Sequence, residues 1–103
     1  MNFNFNEVGQ VIRINVGKDI STSTPTLVLQ PEVGNTKLIT SGVTIPVIDI
    51  EVGNDTFFAN EYIEYFTKDG DLDYVGRWNK RVKLDFSSTN IEKTDFVKFR
   101  VLS

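Results

Sequence analysis

Residues 69–86 read DGDLDYVGRWNKRVKLDF and decide the fold, because a tight polar corner here leads into the clearest strand pattern of the chain. From Arg77 to Phe86 the two sides of that pattern alternate without exception. One side carries Trp78, Val82, Leu84, Phe86 and the aliphatic stem of Lys80, and the other carries Arg77, Asn79, Arg81, Lys83 and Asp85. A period of two predicts a half-buried β-strand.

The composition favours one all-β domain. The 103 residues fit a single hydrophobic core. Eight Phe, three Tyr and one Trp, with many Val and Ile, suit a pleated surface better than a helix. The net charge of −3 offers no long-range attraction for nucleic acid or for an anionic membrane surface.

Cys and His are both absent, which excludes several kinds of site. Neither Cys/His zinc centres nor Ser-His-Asp triads nor imidazole bases are possible within the chain. No apolar run reaches the about 18 residues of a membrane helix, and residues 1–5 lack the features of a secretion signal. We therefore expect a protein made soluble in the cytoplasm, with no membrane role and no cofactor.

Further strands are expected along the chain, joined by Gly-rich or hydroxyl-rich turns, in a sandwich or small barrel. Residues 43–50 predict an edge strand or a bulge because Pro46 cannot donate a ladder hydrogen bond. Residues 56–67 fit a strand or a short helix, and their β-forming residues favour the strand. The most regular strand patterns lie at residues 10–16, 26–30 and 95–102. Turns are expected at residues 33–35 and 51–54. Ile20 is expected to fill the core from a loop.

Residues 1–7 predict an extended N-terminal arm, and residues 8–103 a single domain. In the arm Asn and Phe alternate, so Phe3 and Phe5 share one face. Two interpretations remain open: an edge strand that covers the core of its own chain, or an arm that reaches a neighbouring subunit.

Two acidic patterns resemble sites that carry chemistry. Asp69, Asp71 and Asp73 begin like a calcium loop, but Tyr74 stands where that loop needs Gly and Lys80 where it needs Glu. A turn held by Asp side chains, with Gly70 and Gly76 in conformations that other residues avoid, is the favoured interpretation. The close carboxylate pairs, Glu61 with Glu64 and Asp71 with Asp73, lack the cleft that a glycosidase needs in so small a chain.

The basic cluster of Arg77, Lys80, Arg81 and Lys83 surrounds Trp78. Because Lys80 projects to the Trp78 side while the other three point away, a solvated sheet face is favoured over an oligonucleotide platform. Trp78 itself is expected in the core. A corner of this kind, fastened by an aromatic residue, precedes the penultimate strand of immunoglobulin-like sandwiches.

Several short segments together resemble a known family: residues 8–16, residues 19–21, the corner of Gly70, Asp71, Leu72, Asp73, Gly76 and Trp78, and residues 99–101. They are similar to small immunoglobulin-like modules of tailed-bacteriophage virions, including N-terminal domains of baseplate proteins. The resemblance implies an immunoglobulin-like antiparallel β-sandwich of about seven strands. The chain departs from the family at residues 31–35, where a Pro-Asp-Gly-like turn is usual.

The resemblance implies a non-enzymatic structural component of a virion, such as a tail or baseplate subunit or a capsid decoration or adaptor protein. Its partners would be other virion proteins, met in several copies, with no role for nucleic acid. The expected contact residues are Phe3, Phe5, Phe57 and Phe58, because the predicted strand faces account for most other aromatic residues. The alternative is a carbohydrate- or host-surface-binding module that uses Trp78 or the Tyr residues.

Overall fold

A computed structural model describes residues 2–103, and within that range the chain is all-β with no helix. The described residues therefore include no helix that could cross a membrane. The strands are β1 (Asn2–Asn4), β2 (Val11–Asn15), β3 (Thr24–Pro31), β4 (Lys37–Ile39), β5 (Ile50–Val52), β6 (Asp55–Phe57), β7 (Tyr62–Phe66), β8 (Gly76–Ser87), β9 (Asn90–Lys93) and β10 (Val97–Leu102). The prediction of an all-β fold is confirmed.

The main sheet is built around β8, in the order β1-β10-β8-β3-β4. One edge of β8 pairs along its length with β3. Its other edge pairs first with β10 and then, in its C-terminal half, with β9. The sequence analysis predicted a purely antiparallel sandwich. This sheet is mixed instead, because β1 runs parallel to β10.

A second layer faces the main sheet. Strands β2 and β7 form an antiparallel pair, and Thr44 makes a single bridge to the far side of β7. Strands β5 and β6 form a separate hairpin. Between the layers lies one apolar cluster, whose buried members are Phe3, Ile12, Ile14, Ile20, Leu27, Leu29, Ile63, Tyr65, Leu72, Trp78, Val82, Leu84, Phe99 and Val101.

The alternation of β8 is confirmed. Trp78, Val82 and Leu84 are at most 1% exposed. Lys80 shares their side and is also buried, with its Nζ donating to the carbonyl of Arg13 in β2 at 3.2 Å. The ammonium group therefore bridges the two layers, and burial lowers the pKa of Lys80.

The structure also tests the predictions for the loops and for residues 43–67. Residues 55–57 and 62–66 are strands, as favoured over a helix, and Ile20 is fully buried. Residues 43–50 pair only through Thr44 and the first residue of β5, because Pro46 has no N–H to continue a ladder. The predicted turn at 33–35 lies between β3 and β4. Of the predicted turn at 51–54, Gly53 and Asn54 connect β5 to β6, whereas residues 51 and 52 belong to β5.

The N-terminal arm follows the first of its two interpretations. Residues 2–4 are the edge strand β1, and Phe3 is 4% exposed, with its ring edge-on to Phe99 at 5.5 Å between centroids. This corrects the prediction that Phe3 is a contact residue for a partner, because its ring is already part of the core.

Candidate docking surfaces

The corner before β8 is held from inside. The carboxylate of Asp71 accepts the backbone N–H of Lys68 at 2.7 Å and the hydroxyl of Tyr65. Leu72 is fully buried, and its carbonyl accepts the N–H of Asn6 at 2.8 Å. Burial and the hydrogen bond with Asp71 raise the pKa of Tyr65. The corner therefore joins the N-terminal arm to the core.

Trp78 fastens the same corner. Its indole N–H donates to the carbonyl of Tyr74 at 2.9 Å, and its ring stacks on Phe99 at 5.8 Å. Gly76 allows the tight approach, with a φ of 140° and a hypothetical Cβ only 2.9 Å from the ring of Tyr74. Since Trp78 is 1% exposed, it is a core residue and offers no platform to a sugar.

Asp71, Asp73 and Glu64, three of the five carboxylates in the two acidic patterns, have structural partners. Asp73 forms an ion pair with Lys37 at 3.0 Å, and Glu64 forms one with Arg13 at 3.0 Å. Within residues 2–103 there is no group of three or more acidic, His or Cys side chains placed to hold a metal ion. In the corner, Asp71 acts as a hydrogen-bond acceptor and Asp73 as an ion-pair partner within the fold.

The other expected contact residues lie at different places. Phe5 is 42% exposed, just beyond β1. Phe57 is half-buried, with its ring 5.3 Å from that of Tyr62, whereas Phe58 is 51% exposed. The structure therefore leaves Phe5 and Phe58 accessible, on separate parts of the molecule.

Phe58 has apolar neighbours that the sequence analysis missed. Val47 is 75% exposed and Ile48 is 62% exposed. Their segment is tied to that of Phe58 by the N–H of Asn60, which donates to Pro46 at 2.8 Å, and by the hydroxyl of Tyr62, which donates to Ile48 at 3.1 Å. We call Val47, Ile48 and Phe58 the apolar loop surface. The available signal was the run Pro46-Val47-Ile48, in which a β-pattern is interrupted by Pro.

The outer side of the main sheet is basic. Arg77, Arg81 and Lys83 of β8 point away from the core, as predicted. Strand pairing sets three more cations on this side: Arg100 opposite Arg77, Lys98 opposite Asn79, and Lys93 opposite Lys83. We call these six residues the basic face. An open groove on it is lined in part by Arg77, Lys98 and Arg100.

No family model, no curated protein and no solved structure matches this chain. Its function has to be argued from the surfaces described above.

Proposed function

We propose that this chain is a non-enzymatic structural subunit of a tailed-bacteriophage virion, with an immunoglobulin-like sandwich that docks on larger virion proteins. The observation that carries the proposal is the apolar loop surface. Three large apolar side chains, Val47, Ile48 and Phe58, are each more than half exposed and belong to segments hydrogen-bonded to one another. Exposed apolar side chains on connected segments are typical of interaction sites, whereas single ones are common on any surface.

The rigidity beneath this surface supports docking. The hydroxyl of Tyr62 and the N–H of Asn60 hold residues 46–48, and the carboxylate of Asp49 accepts the N–H of Ala59 at 2.7 Å. A loop fixed at three points loses little conformational freedom when a partner binds, so more of the contact energy appears as affinity.

The sandwich assignment rests on two layers around one core and on the corner. The main sheet and the β2–β7 pair enclose the apolar cluster, and Trp78 fastens the corner that leads into the long central strand. Aligned layers with an aromatic-fastened corner characterise immunoglobulin-like sandwiches. The parallel edge strand β1 and the short strand β9 are additions to that plan.

Open sheet edges offer a second means of docking. Within residues 2–103, β2 pairs only with β7, and β4 pairs only with β3. An extended segment of a partner can add to such an edge through main-chain hydrogen bonds. Repetition in a symmetric particle would strengthen weak single contacts through their effective concentration.

The test is quantitative mass spectrometry of purified particles from an infection in which the chain is supplied in tagged form. We expect the wild-type chain to co-purify with particles, and Ile48→Asp with Phe58→Asp to reduce its occupancy at least about tenfold, the effect of about 1.4 kcal/mol of lost binding. Val33→Asp is the matched control, because Val33 is 64% exposed in the turn between β3 and β4, outside the apolar loop surface and outside the open strand edges.

Denaturation curves of both variants should match the wild type, since all three side chains are exposed. Absence of the wild-type chain from particles would refute the virion assignment. Equal occupancy of the double variant and the Val33→Asp control would refute the role of the apolar loop surface.

A further inference from the structure

The basic face concentrates cations; the guanidinium group of Arg81 packs on the ring of Phe96 at 4.2 Å, and within residues 2–103 none of the six forms a salt bridge. It holds six of the 11 Lys and Arg residues of a chain whose net charge is −3. Within residues 2–103 every salt bridge lies elsewhere, at Arg13, Lys18 and Lys37. Asp85 of β8 lies on the same side as the basic face, and Glu32 lines the groove.

The arrangement of the basic face is unfavourable for an isolated chain. Arg77 lies directly opposite Arg100, and Lys83 directly opposite Lys93. Cβ atoms of such pairs are about 5 Å apart, and like charges at that separation destabilise a sheet. An anionic partner over this face would remove the repulsion, so the face has the electrostatics of a binding surface.

The opposite charge is concentrated on the second layer. Residues 38–67 contain no Lys or Arg. Glu51 and Asp55 are exposed on the β5–β6 hairpin. Among the acidic side chains of residues 38–67, all of which the structure describes, only Glu64 forms a salt bridge. The hairpin is tied to β2 by the side-chain amide of Asn15, which donates to the carbonyl of Thr56 at 3.4 Å.

Neighbouring segments extend this acidic region. The N–H of Val16 and that of Gly17 both reach the carbonyl of Glu61. Asp49 is exposed just before β5. We call Asp49, Glu51, Asp55 and Glu61 the acidic hairpin surface. Because the second layer packs against the inner side of the main sheet, this surface and the basic face lie on different sides of the molecule.

We propose that the basic face of one copy binds the acidic hairpin surface of a second copy, so that the chain associates head to tail. The two surfaces are complementary in charge. Within residues 2–103 no ion pair involves the six cations of the basic face, and none involves Glu51 or Asp55 of the acidic hairpin surface. A contact between two different surfaces of the same protein repeats, and it closes into a ring or continues as a fibre. This inference goes beyond the proposed function and holds whether or not the chain belongs to a virion.

A second copy is favoured over nucleic acid for an electrostatic reason. At distances where only total charge is felt, this chain of net charge −3 is repelled weakly by a second copy, which also carries −3, and more strongly by a polyanion, which carries many more charges. A copy of the same chain can approach with its acidic hairpin surface turned toward the basic face, so the two local charges attract.

Sedimentation velocity tests the proposal on the full chain, at concentrations up to about 1 mM to detect weak association. At about 0.01 M salt, where the Debye length is about 30 Å, we expect the weight-average sedimentation coefficient to rise with protein concentration. At about 1 M salt, where the Debye length is about 3 Å, we expect it to keep the value of the monomer. Two charge-reversed variants separate the surfaces: Arg77→Glu with Arg100→Glu, and Glu51→Lys with Asp55→Lys.

Each reversed variant alone should remain monomeric at low salt. An equimolar mixture of the two should associate, because each then carries a surface complementary to the other. Lys68→Glu is the matched control, since Lys68 is exposed outside the basic face, and it should associate like the wild type.

Three results would overturn the proposal. One is a monomeric wild type at low salt. Another is association that neither salt nor the reversed variants weaken. The third is a monomeric wild type that binds a single-stranded oligonucleotide through Arg77 and Arg100, which would make the basic face a nucleic-acid surface.

Discussion

Phe3 and Phe5 provide a direct comparison of a core residue with a surface residue on the same arm. Phe3 is 4% exposed and packs edge-on against Phe99 at an interplanar angle of 87°, whereas Phe5 is 42% exposed. We expect Phe3→Ala to lower the free energy of unfolding by about 3–5 kcal/mol, the usual cost of removing a buried Phe. Phe5→Ala should cost less than about 1 kcal/mol.

The size of the Phe3 effect follows from its surroundings. Its ring fills the space beneath β1, and the edge-on geometry with Phe99 accounts for about 0.5–1.5 kcal/mol beyond the area that it buries. A domain of this size typically has 5–15 kcal/mol of total stability, so the loss would be a large fraction. A loss of about 3 kcal/mol should lower the melting temperature by at least about 12 °C.

The assay is chemical denaturation of the wild type, Phe3→Ala and Phe5→Ala, followed by Trp78 fluorescence. Trp78 is the one Trp of the chain and is buried, so its emission should shift to the red on unfolding. Phe3→Leu, which keeps most of the apolar volume, gives a measurable intermediate if Phe3→Ala does not fold. Equal and small losses for Phe3→Ala and Phe5→Ala would refute the edge-strand structure of the arm and revive the neighbour-reaching alternative.

Three further changes test other contacts. Gly76→Ala should cost at least about 1–3 kcal/mol in a denaturation curve, because its φ is 140° and the added Cβ would lie 2.9 Å from the ring of Tyr74; an unchanged midpoint would contradict this. Tyr65→Phe should cost about 1–2 kcal/mol by the same assay, since the carboxylate of Asp71 loses a donor. Burial lowers the pKa of Lys80 in the folded chain below its ordinary value of 10.5. At a pH between the lowered pKa and 10.5, the unfolded chain binds more protons than the folded chain, so the free energy of unfolding rises with pH. Lys80→Met should remove that rise, and an identical pH profile in the two proteins would contradict the burial of the ammonium group.

The sequence predicted what the period of two determines. In β8 it set Trp78, Val82 and Leu84 on the core side, and the Gly-containing turns were located for the same local reasons. It predicted only that the stem of Lys80 shares the core side. Burial of the whole side chain depends on the carbonyl of Arg13, which a distant strand supplies.

What the sequence did not reveal depends on which strands become neighbours. Alternation tells which side of a strand is buried but not which strand lies beside it. The parallel pairing of β1 with β10 joins the two ends of the chain, so no local pattern indicated that Phe3 is covered by Phe99. The basic face was incomplete for the same reason, since Lys98 and Arg100 join it only through β10.

The two sides of β8 therefore have separable roles. Substitutions at Trp78 or Val82 change stability, because these side chains are buried between the layers. Substitutions at Arg77 or Arg100 remove like-charge repulsion and no packing, so they should leave stability unchanged or raise it while weakening association. If substitutions on β8 and β10 weaken association without lowering the free energy of unfolding, the fold does not require the residues they replace. This combination of effects would distinguish the basic face from ordinary solvated surface.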